Sequence, residues 1–135
     1  MRMLDTHLHL VYQDRFTYAW LGGAPKLDRQ WTAESYFAEA EALGVEQAIH
    51  MEVDVAEADM LAETEFVLGC HPRVVAAIAN GRPEHAGFPA HLDRLAALGG
   101  KVKGIRRLLQ FQPPELSQTP TFLDNIRRLP AHRLN

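Results

Sequence analysis

Four times along this chain, a short apolar run gives way to a loop and then to a stretch with helical spacing. That alternation limits the fold more than any single motif does. The predicted strands are Met3 to Leu10, Glu46 to Val53, Arg73 to Ala79 and Lys101 to Leu109. Between them, helices are predicted over about Thr32 to Leu43, Glu57 to Cys70 and Ala90 to Leu98, with a last one starting near Thr121. Thr32 suits an N-cap and Gly44 a helix stop. Ala33, Tyr36, Phe37, Ala40 and Leu43 fall on one helical face, and so do Met60, Leu61, Thr64, Val67 and Leu68. In the last helix Phe122, Leu123, Ile126 and Leu129 are expected to point inward, with Pro130 kinking or ending it.

Alternating βα units imply parallel strands joined by right-handed crossovers. Two architectures then remain, an open doubly wound sheet and a (βα) barrel. A dinucleotide-binding sheet would end its first strand in a glycine-rich turn. Here that strand ends in "THLHL", and no G-x-G-x-x-G follows. The unit length of about 30 residues suits a barrel equally well.

The chain has 135 residues, 47% of them hydrophobic and 23% charged, which is consistent with one globular domain over residues 1–135. The net charge of -3 argues against a nucleic-acid or membrane-surface protein. The single cysteine, Cys70, cannot form an internal disulfide, so a reducing compartment is expected. The N-terminal segment lacks the apolar run of a signal peptide, and no stretch has the length of a membrane span. These features together predict a cytoplasmic protein.

Within "LDTHLHL", His7 and His9 are two residues apart, so on a strand they share a face, roughly 6.5 Å apart along the backbone. Two imidazoles at that spacing can converge on one metal ion. The alternative is a pair of ordinary polar residues on a partly exposed strand. Leu4, Leu8 and Leu10 are expected to fill the other face, with Asp5 one step below the histidines. Burying two imidazoles costs free energy unless they find partners, which favours the metal reading. Two ligands are not a complete site, because catalytic zinc has three protein ligands plus water.

"LDTHLHL", the aromatic loop "RFTYAWL", "HMEV" on the second strand and "GIRRLLQ" on the fourth together resemble the amidohydrolase superfamily. The similarity is to the amidohydrolase 2 group, which includes fuconolactonase-like and pyrone-dicarboxylate lactonase-like enzymes. The resemblance implies the first four βα units of a (β/α)8 TIM barrel, with a site at the C-terminal ends of the strands. It implies a hydrolase acting on a sugar lactone or related cyclic ester. His7 and His9 match the first-strand metal ligands, for zinc or manganese, and Arg106 matches an arginine that holds a substrate carboxylate or carbonyl. An arginine fork can hold two oxygens at once. Arg107 is expected to be a solvated strand-end charge. Glu52, near the end of the second strand, is placed to orient water or substrate.

A family barrel needs about 250 residues, and later histidines and a strand-eight aspartate that complete such a site have no counterpart here. Four strands would leave two edges and one sheet face open. Three expectations follow: a fragment or truncated product, a homodimer that completes the barrel, or a small open α/β domain. The function alternative is a non-catalytic half-barrel serving as an assembly or interaction module. The remaining histidines add no ligands by spacing. His50 is expected to pack against a helix, His71 to sit near a helix end, and His85, His91 and His132 to lie in loop or surface contexts.

Overall fold

The computed structural model describes residues 2–135. Four parallel strands form one sheet: β1 (Met3–Leu8), β2 (Val45–Met51), β3 (Val74–Asn80) and β4 (Val102–Arg106). Their spatial order is β1-β2-β3-β4. A doubly wound sheet reverses direction at a switch point. Here the order never reverses, so the sheet is a segment of barrel wall.

Helices α1 (Ala33–Ala40), α2 (Met60–Cys70) and α3 (Phe88–Ala96) occupy the crossovers, and α4 (Pro120–Ile126) follows β4. Thr32 caps α1 by accepting from the Ser35 amide at 3.2 Å. That helix tightens into a 3₁₀ turn over Glu41–Leu43 and stops at Gly44, whose φ of 82° is open to glycine without strain. Thr119 caps α4 in the same way as Thr32 caps α1. The predicted α4 runs into Pro130, but its α-helical part ends at Ile126 and a separate 3₁₀ turn spans Leu129–His132.

The helices cover one face of the sheet. Leu8, Leu10, Phe37, Ala48, Val67 and Ala77 form one buried cluster there. Ala79, Phe88, Leu92, Leu95 and Val102 form a second under α3. Two apolar residues expected on helix core faces stay outside: Leu43 is 72% exposed and Leu123 is 40% exposed. Leu43 lies in the 3₁₀ turn, where the helical period that aligned it with Phe37 no longer holds.

β1 departs most from its expected register. Asp5 pairs with Ala48 and Leu8 with His50, so three steps on β1 match two on β2. One extra residue is therefore accommodated, as in a β-bulge, and the face alternation inverts across it. Asp5 turns to the helix side, where its Oδ2 accepts from the Tyr36 hydroxyl at 2.5 Å and its Oδ1 from the His7 amide at 2.9 Å. Leu4 lies on the opposite side and is exposed. The expectation that Asp5 sits below the histidines, and Leu4 among the buried leucines, is corrected on this ground.

At the other edge, the Asn135 amide donates to Lys103 O at 3.2 Å and its carbonyl accepts from Ile105 N at 2.9 Å. That is the bonding pattern of a parallel strand pair. A Cβ on Gly104 would lie 2.7 Å from Asn135 O, so glycine lets the backbone approach.

Candidate active site

The strands end on one side of the sheet, and the candidate residues collect there. The two imidazoles approach closely, with His7 Nε2 3.2 Å from His9 Nε2 and the rings edge-on. His9 Nδ1 lies 2.9 Å from the Met51 carbonyl, which can only accept, so the His9 proton sits on Nδ1. Its Nε2 lone pair is left pointing toward His7. Partial burial lowers the His9 pKa, and the nearby His7 and Arg106 act in the same direction against the Met51 bond. A neutral imidazole is the form that can ligate a metal.

Two nitrogen ligands of a tetrahedral zinc, each at about 2.0–2.1 Å, stand roughly 3.3 Å apart. The separation seen here matches that figure, and the carbonyl behind His9 is the kind of partner that fixes a ligand tautomer. His7 and His9 therefore fit one metal position as a pair. Among the described residues there is no group of three or more His, Cys, Asp or Glu side chains able to hold an ion. The pair alone does not complete a metal site.

Arg106 ends β4, at the opposite edge of the sheet from the histidines. On β4 it pairs with Asn80 of β3. Its Nη1 donates to Glu52 Oε1 at 2.8 Å and to Glu52 O at 3.0 Å. Glu52 is 1% exposed, and its Oε2 accepts from the Asp54 amide at 2.8 Å. Burial raises the Glu52 pKa, while the Asp54 amide and Arg106 oppose that rise. Because both oxygens accept, the arrangement suits the carboxylate. Glu52 is buried behind Arg106 and holds the guanidinium in place; it does not project into the open site. Arg106 Nη2 and Nε make no hydrogen bond among the described residues, so that edge of the fork remains open.

Arg107 is not a solvated charge. It pairs through Nη2 and through Nε, at 2.9 Å, with Glu84, and both side chains are partly buried. Burial raises the Glu84 pKa, but the Arg107 bonds outweigh it and hold the carboxyl below its ordinary value. Arg106 is the last residue of β4, and Arg107 lies just past it, where the chain turns toward Glu84 in the segment before α3. His50 lies against α2 as expected, with its Nε2 3.4 Å from Glu63 Oε1 and both groups 1% exposed. His71 stacks on Phe37, His85 pairs with Glu57, His91 bonds Asn80 O, and His132 lies near Asp93. None of these five joins the pair.

A cavity of about 430 Å³ opens beside His9 and Arg106. Trp20, Trp31, Val53 and Phe111 help to wall it. Trp31 is set by paired backbone bonds with Val11, two residues beyond His9. Trp20 is fixed by its indole N–H, which donates to Val53 O at 2.7 Å. Asp54, with a φ of 56°, also lines the cavity and is held by Arg82 at 3.1 Å. Trp20 lies in the aromatic loop that the sequence reading singled out, but Trp31, Asp54, Arg82 and the Glu63 and Glu84 partners carried no short-range signal.

No protein-family model matches the chain, and no curated protein matches it. Solved structures do. An amidohydrolase with bound zinc from Burkholderia multivorans superposes with a TM-score of 0.76 at 20% identity, covering 99% of this chain and 47% of that one. An amidohydrolase 2 from Bifidobacterium longum subsp. infantis gives 0.72 at 24% identity, covering 99% and 50%. A probable 2-pyrone-4,6-dicarboxylic acid hydrolase from Acinetobacter baumannii, with citric acid bound, gives 0.68 at 17%, covering 98% and 47%. The chain spans about half the length of the solved structures it matches. The resemblance read from the histidine, aromatic-loop and arginine segments therefore holds at the level of fold: this chain has the fold of half an amidohydrolase of this group, the N-terminal half of an α/β barrel.

Proposed function

We propose that the chain carries the first-strand metal ligands and a substrate-binding arginine of a hydrolase of the amidohydrolase 2 group, acting on a lactone or related cyclic ester. The observation that carries this reading is the His7–His9 convergence at 3.2 Å with His9 Nδ1 bonded to Met51 O. His7 and His9 would hold a divalent ion, zinc or manganese, through their Nε2 atoms. Such an ion, when bound, polarises a carbonyl or lowers the pKa of water. Arg106 holds a substrate oxygen with the open edge of its fork, and Glu52 keeps that fork aimed. Apolar walls stand beside them.

A bound zinc in the Burkholderia structure and citric acid in the Acinetobacter structure support a metal and a small anionic ligand. No helix among the described residues is long and apolar enough to cross a membrane. A cytoplasmic setting belongs to the same proposal, since the chain has one thiol and it donates to Val67 O at 3.3 Å. The test is hydrolysis of a panel of cyclic esters by the protein, with and without zinc or manganese. Metal-stimulated turnover that disappears with His7→Ala plus His9→Ala supports the reading. Turnover unchanged in that variant contradicts it.

A second copy is the partner this reading offers for the open sheet face, where Leu4 is 46% exposed. Light scattering on a sizing column then gives twice the 15.2 kDa chain mass. A monomer at high concentration removes the homodimer and leaves the metal-pair reading intact.

A further inference from the structure

We infer that His50 and Glu63, buried behind the sheet, are positioning residues: they set the end of β2, from which the metal pair, the arginine fork and one aromatic wall are all held. This rests on the reading of the front of the sheet as an active site, and it adds to that site two residues that act only through others.

Consecutive residues at the end of β2 each fasten a different part of the front. Met51 O accepts from His9 Nδ1, just past β1, at 2.9 Å. Glu52 Oε1 and O accept from Arg106 Nη1 on β4 at 2.8 and 3.0 Å. Val53 O accepts from the Trp20 indole at 2.7 Å. Asp54 Oδ1 accepts from Arg82, just past β3, at 3.1 Å. A small displacement of this segment therefore disturbs all of these contacts together, and a hydrogen bond weakens steeply once its geometry is lost.

Little in the backbone fixes the segment itself. β2 ends at Met51, and beyond it the Glu52 amide donates to Ile78 O at 3.0 Å. Asp54 then turns the chain away with a φ of 56°. His50 is the last side chain of β2 that enters the helix layer. Its Nε2 lies 3.4 Å from Glu63 Oε1 in the first turn of α2, and both side chains are 1% exposed. Among the described residues, neither His50 nitrogen and neither Glu63 oxygen has a hydrogen-bond partner. A buried polar pair so sparsely bonded adds little stability, since an apolar pair of similar volume would fill the space without the desolvation cost. What an apolar pair lacks is direction. A polar contact favours one alignment of β2 against α2, as a single buried polar residue fixes register between packed helices.

The chain has two tryptophans, and their indole N–H signals provide a probe and its control. Trp20 reports on Val53 O, while Trp31 donates to Leu27 O at 3.0 Å, inside the loop between β1 and α1. The experiment makes His50→Leu together with Glu63→Met. It reads urea unfolding, the two indole signals by proton–nitrogen NMR, and the zinc affinity of the metal-free protein. The urea midpoint is expected to be no lower than that of the wild type. The Trp20 signal is expected to shift while the Trp31 signal stays, and zinc binding to weaken about tenfold, as when the support behind a ligand is disturbed. Glu63→Gln retains a polar contact with His50 in the same volume and is expected to keep the wild-type Trp20 signal and zinc affinity. If the double variant does not fold, Glu63→Met alone carries the same readouts. An unmoved Trp20 signal overturns the inference, and so does zinc affinity equal to that of a zinc-binding wild type. Equal shifts of both indole signals overturn it too, because they mark a general loosening. A wild type that binds no zinc contradicts the metal reading alone. The Trp20 signal then decides this inference by itself: displaced in the double variant and kept in Glu63→Gln supports it.

Discussion

On the helix side of the sheet, His50 and Arg107 are sealed against Glu63 and Glu84; on the other side, His9 and Arg106 stand at the rim of a cavity. The same residue types serve two ends. Behind the sheet these groups are enclosed by α2 and by the segment leading into α3 and offer no edge to a ligand. In front, His9 and Arg106 are each tied by one edge, to Met51 O and to Glu52, and keep another edge open. A group with a satisfied back and a free front is what a binding site requires.

Leu10→Ala, in the helix-side cluster at 1% exposure, is expected to cost roughly 2–5 kcal/mol. Among the charged groups on the helix side, Arg107 carries the largest expected effect. Arg107→Met strands the partly buried Glu84 carboxylate and is expected to cost roughly 1–3 kcal/mol, read by urea unfolding. A loss within the surface range would return Arg107 to the solvated role its sequence position suggested. The same pair predicts a pH signature. The Glu84 pKa is lowered on folding, so the pair's contribution is present above the ordinary carboxylate range and is lost as pH falls through the lowered value. The stability gap between the wild type and Glu84→Gln should therefore close under acid conditions. A gap that is constant with pH contradicts the assignment.

Tyr36→Phe removes the hydroxyl that fixes Asp5 on the helix side and is expected to cost about 1.5 kcal/mol. No loss there would mean that the bulge in β1 does not depend on this bond. At the small end, His7→Ala plus His9→Ala is expected to change stability by less than about 1 kcal/mol, because both side chains are exposed. A large loss would move the pair from the open face to the structural one.

Much of this contrast was legible in the chain itself. Alternating apolar runs and helical stripes led to parallel βα units, and the "THLHL" ending argued against a dinucleotide-binding sheet. The order β1-β2-β3-β4 then removed the doubly wound alternative. His7 and His9 stood out because a two-residue spacing is a local property of a strand. Arg106 stood out because a known pattern surrounds it. What stayed hidden depends on distant contacts. Glu63 and Glu84 look like ordinary surface acids until α2 and the loop before α3 bring them to His50 and Arg107. The β1 bulge has no glycine to mark it, so Asp5 and Leu4 take the faces opposite to those a regular strand predicts. Trp31 joins the cavity only through its backbone pairing with Val11, 20 residues earlier in sequence.

The central claim is that His7 and His9 form one metal position. Isothermal titration of the metal-free protein with zinc at neutral pH tests it most directly, alongside His7→Ala plus His9→Ala. The double variant is expected to lose one equivalent of bound zinc relative to the wild type while its unfolding curve stays nearly unchanged. Equal zinc stoichiometry and affinity in the two proteins would contradict it.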